Sequence, residues 1–305
     1  MRVDVVVLGH IIIETIVFPD GRIVTPVLGS PAAYSSVALA RLGTHVGLCT
    51  KVGADMPEEF LEIFKKAGVD ISGVKIVGQK STHNKLIYVT MENKRVEYLA
   101  KAPHIEITDL PESYKKANIF YLCPMDYEVD LHVAQKLVEM EKTVVVDLGG
   151  YGGATSAEHP YGVENNLLTT IEIIKLSNII KTSIEDCQYI FGYADDPNYY
   201  AEKILKIGSQ QVIITLGSKG VFYANATICR YFPPLQCLAI DTTGAGDVFA
   251  AGFLHSYLKG AGIEDMIIFG QAVACHVIER TGGVVPERMP TREEVLLRIN
   301  KGVRR

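Results

Sequence analysis

A loop of small residues leads into an apolar segment at residues 241–253, which read DTTGAGDVFAAGF. Gly244 and Gly246 carry no side chain that would block approach to the backbone, and a helix is predicted to begin beside them. The N–H groups at a helix start bind anions, because they are unpaired and the helix dipole favours negative charge. Asp247 is placed to accept a proton from a hydroxyl that attacks phosphorus. The stretch is typical of a phosphoryl-transfer site, but a tight turn whose aspartate only caps a helix explains it equally well.

A second loop with glycines, TLGSKG at residues 215–220, follows an apolar run of strand type. Gly217 and Gly220 again permit close approach to the backbone, and Lys219 is able to contact a phosphate. By itself the loop favours an ordinary hairpin turn. It gains weight as a phosphate-binding loop because only one β-rich stretch separates it from the first motif.

The elements that must position these loops form an α/β pattern. Continuous apolar runs alternate with amphipathic helical segments, which predicts a largely parallel sheet with helices on both faces. The segments that carry this pattern are 3–9, 32–43, 45–53, 57–68, 118–124, 131–140, 143–149, 171–183, 199–208 and 211–217.

Two segments of hairpin type interrupt that pattern. Residues 11–28 contain a P-D-G turn, and residues 84–100 contain E-N-K between two strand-like halves. We expect both hairpins to combine into a small β lid over one end of the large sheet, where open parallel sheets bind ligands. The whole chain, residues 1–305, is predicted to be one domain with this lid.

Composition excludes several other classes of protein. The 305 residues carry a formal net charge of −5, and no run of Lys or Arg exceeds two residues, so nucleic acid and membrane surfaces are not expected partners. The six cysteines form no C-x-x-C pair and the eight histidines form no H-E-x-x-H motif, which argues against a zinc site. The N-terminus lacks the pattern of a signal peptide, and no apolar run is long enough to span a bilayer. We expect a cytoplasmic protein.

The 241–253 stretch closely resembles the C-terminal signature of the ribokinase-like, or PfkB, carbohydrate kinases. Further landmarks of that family occur in its order over residues 1–292, namely VVLGH, LGSPAAYSSVALARLG, CTKVGAD, the lid hairpin, VVVDLGG, TLGSKGV and AVACHVIERTGG. The resemblance implies a three-layer α/β/α fold with a small β lid. It also implies transfer of the γ-phosphate of ATP to a hydroxyl of a sugar or similar alcohol.

The resemblance also implies roles for individual residues. Asp247 is the implied catalytic base, and the implied anion hole consists of Gly244, Ala245 and Gly246. The residues implied in nucleotide binding are Thr215, Gly217, Ser218, Gly220, Asp241 and Gln271. Asp241 also matches a family aspartate near a monovalent-cation site, so K⁺ is a candidate cofactor beside ATP and Mg²⁺.

The acceptor side departs from the family's pattern. Its implied residues are Glu14, Gly29, Ser30, Tyr34 and Asp147. The family often has aspartate in place of Glu14, Gly-Gly in place of Gly29-Ser30, and asparagine in place of Tyr34. These departures leave the phosphoryl motif intact, so they predict an altered choice of substrate, with weakened activity as a lesser alternative.

The metal motif departs as well. The family's N-x-x-E near magnesium aligns with SIED at residues 183–186. Ser183 is a weaker candidate than asparagine, whereas Asp186 is able to order a metal-bound water.

Three hypotheses follow for the function. The first is a sugar or polyol kinase, because several segments loosely resemble the inositol and polyol kinase branch. The second is a nucleoside kinase, in which Tyr34, Tyr88 or Tyr98 would form the wall of a base pocket. The third, a non-catalytic regulator with the kinase fold, has no need of a base at an anion hole. A homodimer through the lid is also expected, from its many apolar residues: Ile11, Ile12, Ile13, Ile16, Val17, Leu86, Ile87 and Val89.

Overall fold

The computed structural model describes residues 2–88, 94–156 and 163–302. Its strands are β1 (Val5–Leu8), β2 (Ile12–Val17), β3 (Ile23–Gly29), β4 (Val46–Val52), β5 (Asp70–Ile76), β6 (Thr82–Tyr88), β7 (Lys94–Ala100), β8 (Ile119–Leu122), β9 (Thr143–Asp147), β10 (Ile179–Ser183), β11 (Gln211–Thr215), β12 (Val221–Asn225) and β13 (Cys229–Phe232). Its α-helices are α1 (Pro31–Arg41), α2 (Glu58–Ala67), α3 (Leu131–Glu139), α4 (Val163–Lys175), α5 (Ile184–Phe191), α6 (Pro197–Ile207), α7 (Ala245–Leu258), α8 (Ile263–Ile278) and α9 (Arg292–Gly302).

A nine-stranded sheet forms the centre, in the order β13-β12-β11-β10-β9-β8-β1-β4-β5. Strands β11 to β5 in that order are parallel, and β12 and β13 add an antiparallel edge. Both faces are covered: Val5 and Val7 enter one hydrophobic cluster, and Val6 and Leu8 enter the other. The first cluster includes residues of α1, α7 and α8, and the second includes residues of α3 and α6. The predicted α/β/α fold is confirmed.

The strand order of the large sheet indicates where a binding crevice lies. From β1 the chain passes to β4 and β5 on one side, and later from β8 to β13 on the other. The crevice beyond the carboxyl ends of β1 and β8 is therefore the topological switch point of the sheet, where open α/β folds bind ligands.

A second sheet of four strands lies at that crevice, in the order β3-β2-β6-β7. It combines the two predicted hairpins, with β2 and β6 side by side and parallel. The turn that joins β6 to β7, residues 89–93, lies outside the described residues. Strand β2 begins four residues after β1 ends, and Tyr98 of β7 donates a hydrogen bond to the carbonyl of Met125 beyond β8, at 3.2 Å. The small sheet therefore covers the crevice as a lid.

Two further details bear on the predictions. The segment at 171–183 is the end of α4 followed by β10, so it contains an element of each kind. None of the described helices is both long enough and apolar enough to cross a membrane.

Candidate active site

Helices α1 and α7 begin side by side at the crevice. Gly244 caps α7 with φ 80°, and Asp247 is the third residue of the helix. Ser30 caps α1, accepts a hydrogen bond from the backbone N–H of Ala33 at 3.0 Å, and has φ 112°, a region that glycine favours. Ser35 donates from Oγ to the carbonyl of Asp247 at 3.2 Å, which ties the two helix starts together.

The two glycines of the loop have different neighbours. A Cβ at Gly244 would lie 2.4 Å from Cδ1 of Tyr34, so the ring of Tyr34 fills the space beside it. A Cβ at Gly246 would lie 3.0 Å from Nζ of Lys181. Gly244 is therefore needed for its backbone conformation and for contact with Tyr34. Gly246 leaves room beside α7 for the buried ammonium group of Lys181.

Gly244→Ala tests this packing against a matched glycine. We expect it to lower both Tm and kcat, because the new methyl group must displace Tyr34 as well as adopt a positive φ. Gly260→Ala is the control, since Gly260 has φ 68° and a Cβ there would meet nothing within 4 Å. In the control, the strained backbone conformation of alanine should lower the unfolding free energy by roughly 1–2 kcal/mol, and activity should be unchanged. Equal Tm losses with full kcat in both variants would contradict the role of the Tyr34 contact.

A buried ion pair joins two neighbouring strands beneath the α7 N-terminus. Lys181 of β10 stands opposite Asp147 of β9 in the register, and its Nζ lies 2.7 Å from Asp147 Oδ2. Burial by itself lowers the pKa of Lys181, but the charges of Asp147, Asp247 and Asp186 together raise it above its ordinary value. The ammonium is therefore charged and lies within the field of three carboxylates, where it is able to bind phosphate oxygens.

Sequence reasoning missed Lys181. The available signal was a lysine inside the apolar strand IIKTS, in a sheet predicted to be covered on both faces. A charged side chain at such a position requires a partner. Finding the partner needs the register between β9 and β10.

The two carboxylates predicted for substrate and metal are both engaged in protein contacts. Asp147 accepts from Lys181 and from the N–H of Gly149, and it lies 4% exposed. Asp186 accepts from the N–H groups of Ala154 and Ser183, each at 2.9 Å, and its own N–H donates to Ser183 Oγ. The S-x-x-D segment is thus a capping box at the start of α5. Burial, followed by the charge of Asp147, raises the pKa of Asp186.

The same group of carboxylates is the chemical kind that magnesium uses. Mg²⁺ keeps several waters and uses one or two carboxylates together with substrate phosphates. The charges of Asp147, Asp247 and Asp186 all act on Lys181, so the three carboxylates belong to one part of the site. Within the described residues, no three His, Cys, Asp or Glu side chains form a group that would hold a metal by themselves. Metal binding through water at Asp186 stays a prediction.

A polar row crosses the inner face of the lid. The register aligns Glu14 of β2 with Asn84 of β6, and Asn84 with Tyr98 of β7. Glu14 lies 8% exposed, and its Oε2 would be 3.2 Å from a Cβ on Gly29. Asn84 lies 2% exposed, and in the described ranges its Oδ1 has no hydrogen-bond partner. A buried amide oxygen without a partner is costly, so Asn84 is a candidate to bind the acceptor.

Tyr34 connects this row to α7. Burial raises its pKa most strongly, and the nearby charges of Glu14, Asp241 and Asp247 raise it further. The structure therefore brings together Glu14, Gly29, Tyr34 and Asp247 from four segments that are distant in sequence. Asn84 was not predicted, because nothing in its local sequence distinguishes it from a strand residue.

A cavity of about 360 Å³ continues beyond Tyr98, at the outer end of the polar row. Its lining includes His10, Tyr98, Lys101, Asp126 and Tyr127. Burial raises the pKa of Asp126 to about 6, against the opposing effect of its ion pair with Lys101. The cavity therefore offers two aromatic rings, a cation and a carboxyl group.

The second glycine loop lies at the other side of α7. It is the turn from β11 to β12, and Ser218 is exposed there between Gly217 and Lys219. Thr215 donates from Oγ1 to the carbonyl of Thr182 at 3.3 Å. The hairpin turn and the positive-φ glycines are both present, and nucleotide binding by this loop stays a prediction.

Two other predicted nucleotide residues contact the segment after β13. A Cβ at Gly220 would lie 2.3 Å from the carbonyl oxygen of Phe232, and Gln271 donates from Nε2 to the carbonyl of Pro233 at 2.9 Å. Gln271 therefore binds the protein's own backbone, and Gly220 leaves room for the backbone of Phe232 to pass close by. The roles of these two residues toward a nucleotide stay predictions.

The position implied for a monovalent cation holds an arginine. The carboxylate of Asp241 lies 3.3 Å from Nη2 of Arg288, and the same nitrogen donates to the carbonyls of Asp241 and Thr243. Arg288 lies 2% exposed, so its guanidinium group fills the space. The residues around Asp241 therefore do not fit K⁺ in addition.

Comparison with known proteins identifies the family that has this arrangement. A family model described as pfkB family carbohydrate kinase matches residues 3–291. The chain belongs to the PfkB family of carbohydrate kinases. The cytidine kinase of Thermococcus kodakarensis is 33% identical over 285 residues, which cover 92% of this chain and 97% of that protein. The ribokinase of Haemophilus influenzae is 26% identical, covering 88% of this chain and 86% of the relative.

A solved structure supports the fold of this PfkB protein. Arabidopsis thaliana ribokinase complexed with ribose and ATP superposes with a TM-score of 0.80 at 20% identity, covering 98% of this chain and 99% of that chain. The predicted kinase class is confirmed: the protein is a PfkB phosphotransferase that uses ATP and a sugar or nucleoside hydroxyl. ATP and Mg²⁺ are consistent with that membership.

Proposed function

We propose that this PfkB kinase phosphorylates a ribose hydroxyl of a nucleoside whose base carries an amino group, with cytidine the first candidate. The observation that carries the proposal is the cavity of about 360 Å³, which shares Tyr98 with the polar row and adds further aromatic and charged side chains to it. The 33% identity to a cytidine kinase over nearly the full length of both chains supports the same choice.

The ribose is assigned to the polar row of the lid. Glu14 accepts hydrogen bonds from ribose hydroxyls, and Asn84 Oδ1 gains the partner that it lacks among the described residues. From Glu14 to Tyr98 the row spans two strand spacings, about 10 Å. A nucleoside lying along the row would reach from the α7 N-terminus into the cavity.

The base is assigned to the cavity itself. Tyr127 and Tyr98 supply aromatic surface for the base, with the ammonium of Lys101 5.0 Å from the Tyr98 ring centroid, and Asp126 supplies an acceptor for an exocyclic amino group. Cytosine presents such a donor, whereas uracil presents an oxygen at that position. An inositol or other polyol would leave these groups without a ligand, so the polyol hypothesis gains less support.

The phosphoryl step is assigned to α7. Asp247 takes the proton of the acceptor hydroxyl as its oxygen attacks the γ-phosphorus. The bond from that phosphorus to the bridging oxygen breaks, and ADP leaves with the electron pair. The N–H groups of Gly246 and Asp247, together with the ammonium of Lys181, stabilise charge on the transferred group. The N–H of Ala245, which the resemblance also implied, donates to the carbonyl of Thr242 at 3.1 Å. Mg²⁺, when bound, neutralises the phosphates of ATP.

A panel of acceptors tests the substrate class. Initial rates of ADP formation are measured with cytidine, uridine, adenosine, ribose and myo-inositol. We expect kcat/KM for cytidine to exceed that for ribose and myo-inositol by at least about 100-fold, because those acceptors leave the base cavity unfilled. A ribose or myo-inositol value equal to the cytidine value would exclude a nucleoside as the preferred acceptor.

Asp126→Asn tests base recognition. An amide donates as well as accepts, so we expect the preference for cytidine over uridine to fall about tenfold or more. Because the pKa of Asp126 is about 6, protonation at lower pH turns the carboxylate into a weaker acceptor that also donates, and KM for cytidine in the parent enzyme should rise as pH falls below 6. Asp265→Asn is the control, since Asp265 is exposed on α8 and is not among the residues that line the cavity. Unchanged preference in Asp126→Asn would assign the base elsewhere.

The lid homodimer stays a proposal with reduced support. Of the apolar residues that suggested it, Ile11, Ile12, Ile13 and Leu86 are buried within the chain, and Val89 lies outside the described residues. Among the described residues of the lid, the large hydrophobic side chains that are exposed are Ile23, Val24 and Leu99. Sedimentation of the parent and of Ile23→Ser would test whether that smaller surface joins two copies.

A further inference from the structure

One guanidinium group gathers an unusual number of backbone oxygens next to the anion hole. Arg288 donates from Nε to the carbonyls of Val277 and Arg280, each at 3.1 Å. From Nη1 it donates to the carbonyl of Gly282, and from Nη2 to the carbonyls of Asp241 at 3.0 Å and Thr243 at 3.4 Å. Five carbonyls, from the end of α8, the segment that follows it and the loop before α7, therefore converge on one positive charge.

Two side chains complete the surroundings. Asp241 Oδ2 lies 3.3 Å from Nη2, and Nη1 donates to the hydroxyl of Tyr34 at 3.4 Å. Converging carbonyls with one carboxylate are the kind of oxygen cage that binds a hard cation. In this protein the guanidinium group of Arg288 occupies the cage.

A free monovalent cation cannot share this cage. The oxygens already accept from Arg288, whose side chain is 1% exposed, and a second positive charge would repel the guanidinium. The K⁺ site that the resemblance implied at Asp241 is therefore already occupied by a positive charge of the protein.

The segments that Arg288 joins control the start of α7. Residues 241–243 precede Gly244 directly, and the N–H groups of Ile240 and Asp241 both donate to the carbonyl of Ile278, the last residue of α8. Tyr34, which Arg288 also contacts, packs against Gly244. Fixing these groups fixes the direction of the N–H groups at residues 245–247.

We propose that Arg288 is a built-in substitute for a monovalent cation: it positions the anion hole, and the kinase therefore works without K⁺. Arg288 acts through the loop backbone and is a positioning residue. The proposal concerns the phosphoryl half of the site and is independent of which acceptor is used.

The first test needs no variant. Initial rates of the parent enzyme are compared in potassium chloride and in tetramethylammonium chloride at equal ionic strength, with the best acceptor of the panel. Tetramethylammonium is too large to enter a carbonyl cage. We expect the same kcat and the same KM for ATP in both salts, and a rate that depends on K⁺ would overturn the proposal.

The second test removes the built-in charge. Arg288→Ala should lower kcat about 100-fold, as expected for misplacement of a catalytic group by about 1 Å. Either K⁺ or sub-denaturing guanidinium should then restore part of kcat by entering the vacated cage. Arg280→Ala is the matched control, because Arg280 is an exposed neighbour that contacts Glu287. It should keep its activity and respond to neither ion.

The variants also separate positioning from folding. Thermal unfolding is followed in parallel, and Arg288→Lys, which keeps a positive charge, should retain more kcat than Arg288→Ala. A folded Arg288→Ala enzyme with full activity, or one that neither ion rescues, would contradict the assigned role. If Arg288→Ala fails to fold, the salt comparison on the parent enzyme still decides the proposal.

Discussion

Asp247→Asn is expected to lower kcat by about 10²–10⁴-fold while ATP binds nearly as before. The amide keeps the size and hydrogen-bonding reach of the carboxylate but cannot take the proton of the acceptor hydroxyl. Nucleotide affinity should persist, because the N–H groups at the start of α7 are backbone groups that the substitution leaves in place. The measurement is kcat from ADP formation beside the Kd for ATP from calorimetry.

The chain offers a control at the same helical position. Asp265 is the third residue of α8, as Asp247 is of α7, and it is exposed. Asp265→Asn therefore loses the same favourable interaction with a helix dipole, worth about 0.3–1 kcal/mol, without touching the active site. Comparable Tm changes with a loss of kcat only at position 247 are expected. A fully active Asp247→Asn enzyme would rule out the assigned base.

Lys181→Met is expected to lower both stability and kcat. Its removal leaves Asp147 buried and without its ion-pair partner, with Asp186 and Asp247 nearby, and breaking such a pair costs about 3–5 kcal/mol of unfolding free energy. Loss of one preorganised charge beside the transferred phosphoryl group should reduce kcat by about 10²–10³-fold. Denaturant unfolding and steady-state rates measure the two effects separately.

A double variant separates the two roles of Lys181. Lys181→Met combined with Asp147→Leu removes both charges, so we expect much of the stability to return while kcat stays low. Lys206→Met, which breaks an exposed pair with Glu202, is the surface control and should change neither quantity appreciably. Recovery of kcat in the double variant would show that Lys181 serves only to neutralise Asp147.

Much of the framework was predictable because its signals are local. Alternating apolar runs and amphipathic helices predicted the α/β sandwich, and turn residues between strand-like halves predicted both hairpins of the lid. The 241–253 motif predicted the start of α7, since glycine conformation and helix capping depend on neighbouring residues. The chain alone therefore determined the elements and the family.

The candidate site was only partly predictable. Lys181 and Asp147 are 34 residues apart, and they meet through the register of two strands. Asn84 joins Glu14 and Tyr98 only when two hairpins pair. The space beside Gly244, which the motif predicted to be open for phosphate, holds Tyr34.

The contacts of Arg288 show most clearly what could not be predicted from the sequence. It contacts Asp241 from 47 positions away and Tyr34 from 254 positions away, and no periodicity or local motif connects these residues. Local sequence fixes backbone conformation over a few residues, whereas pairing of distant charges depends on how completed elements pack. The sequence by itself determined an α/β fold and a glycine loop at the start of a helix, and it predicted phosphoryl transfer at that loop. Only the tertiary structure decided which charges surround that loop, because burial makes each charge depend on the partner that packing supplies.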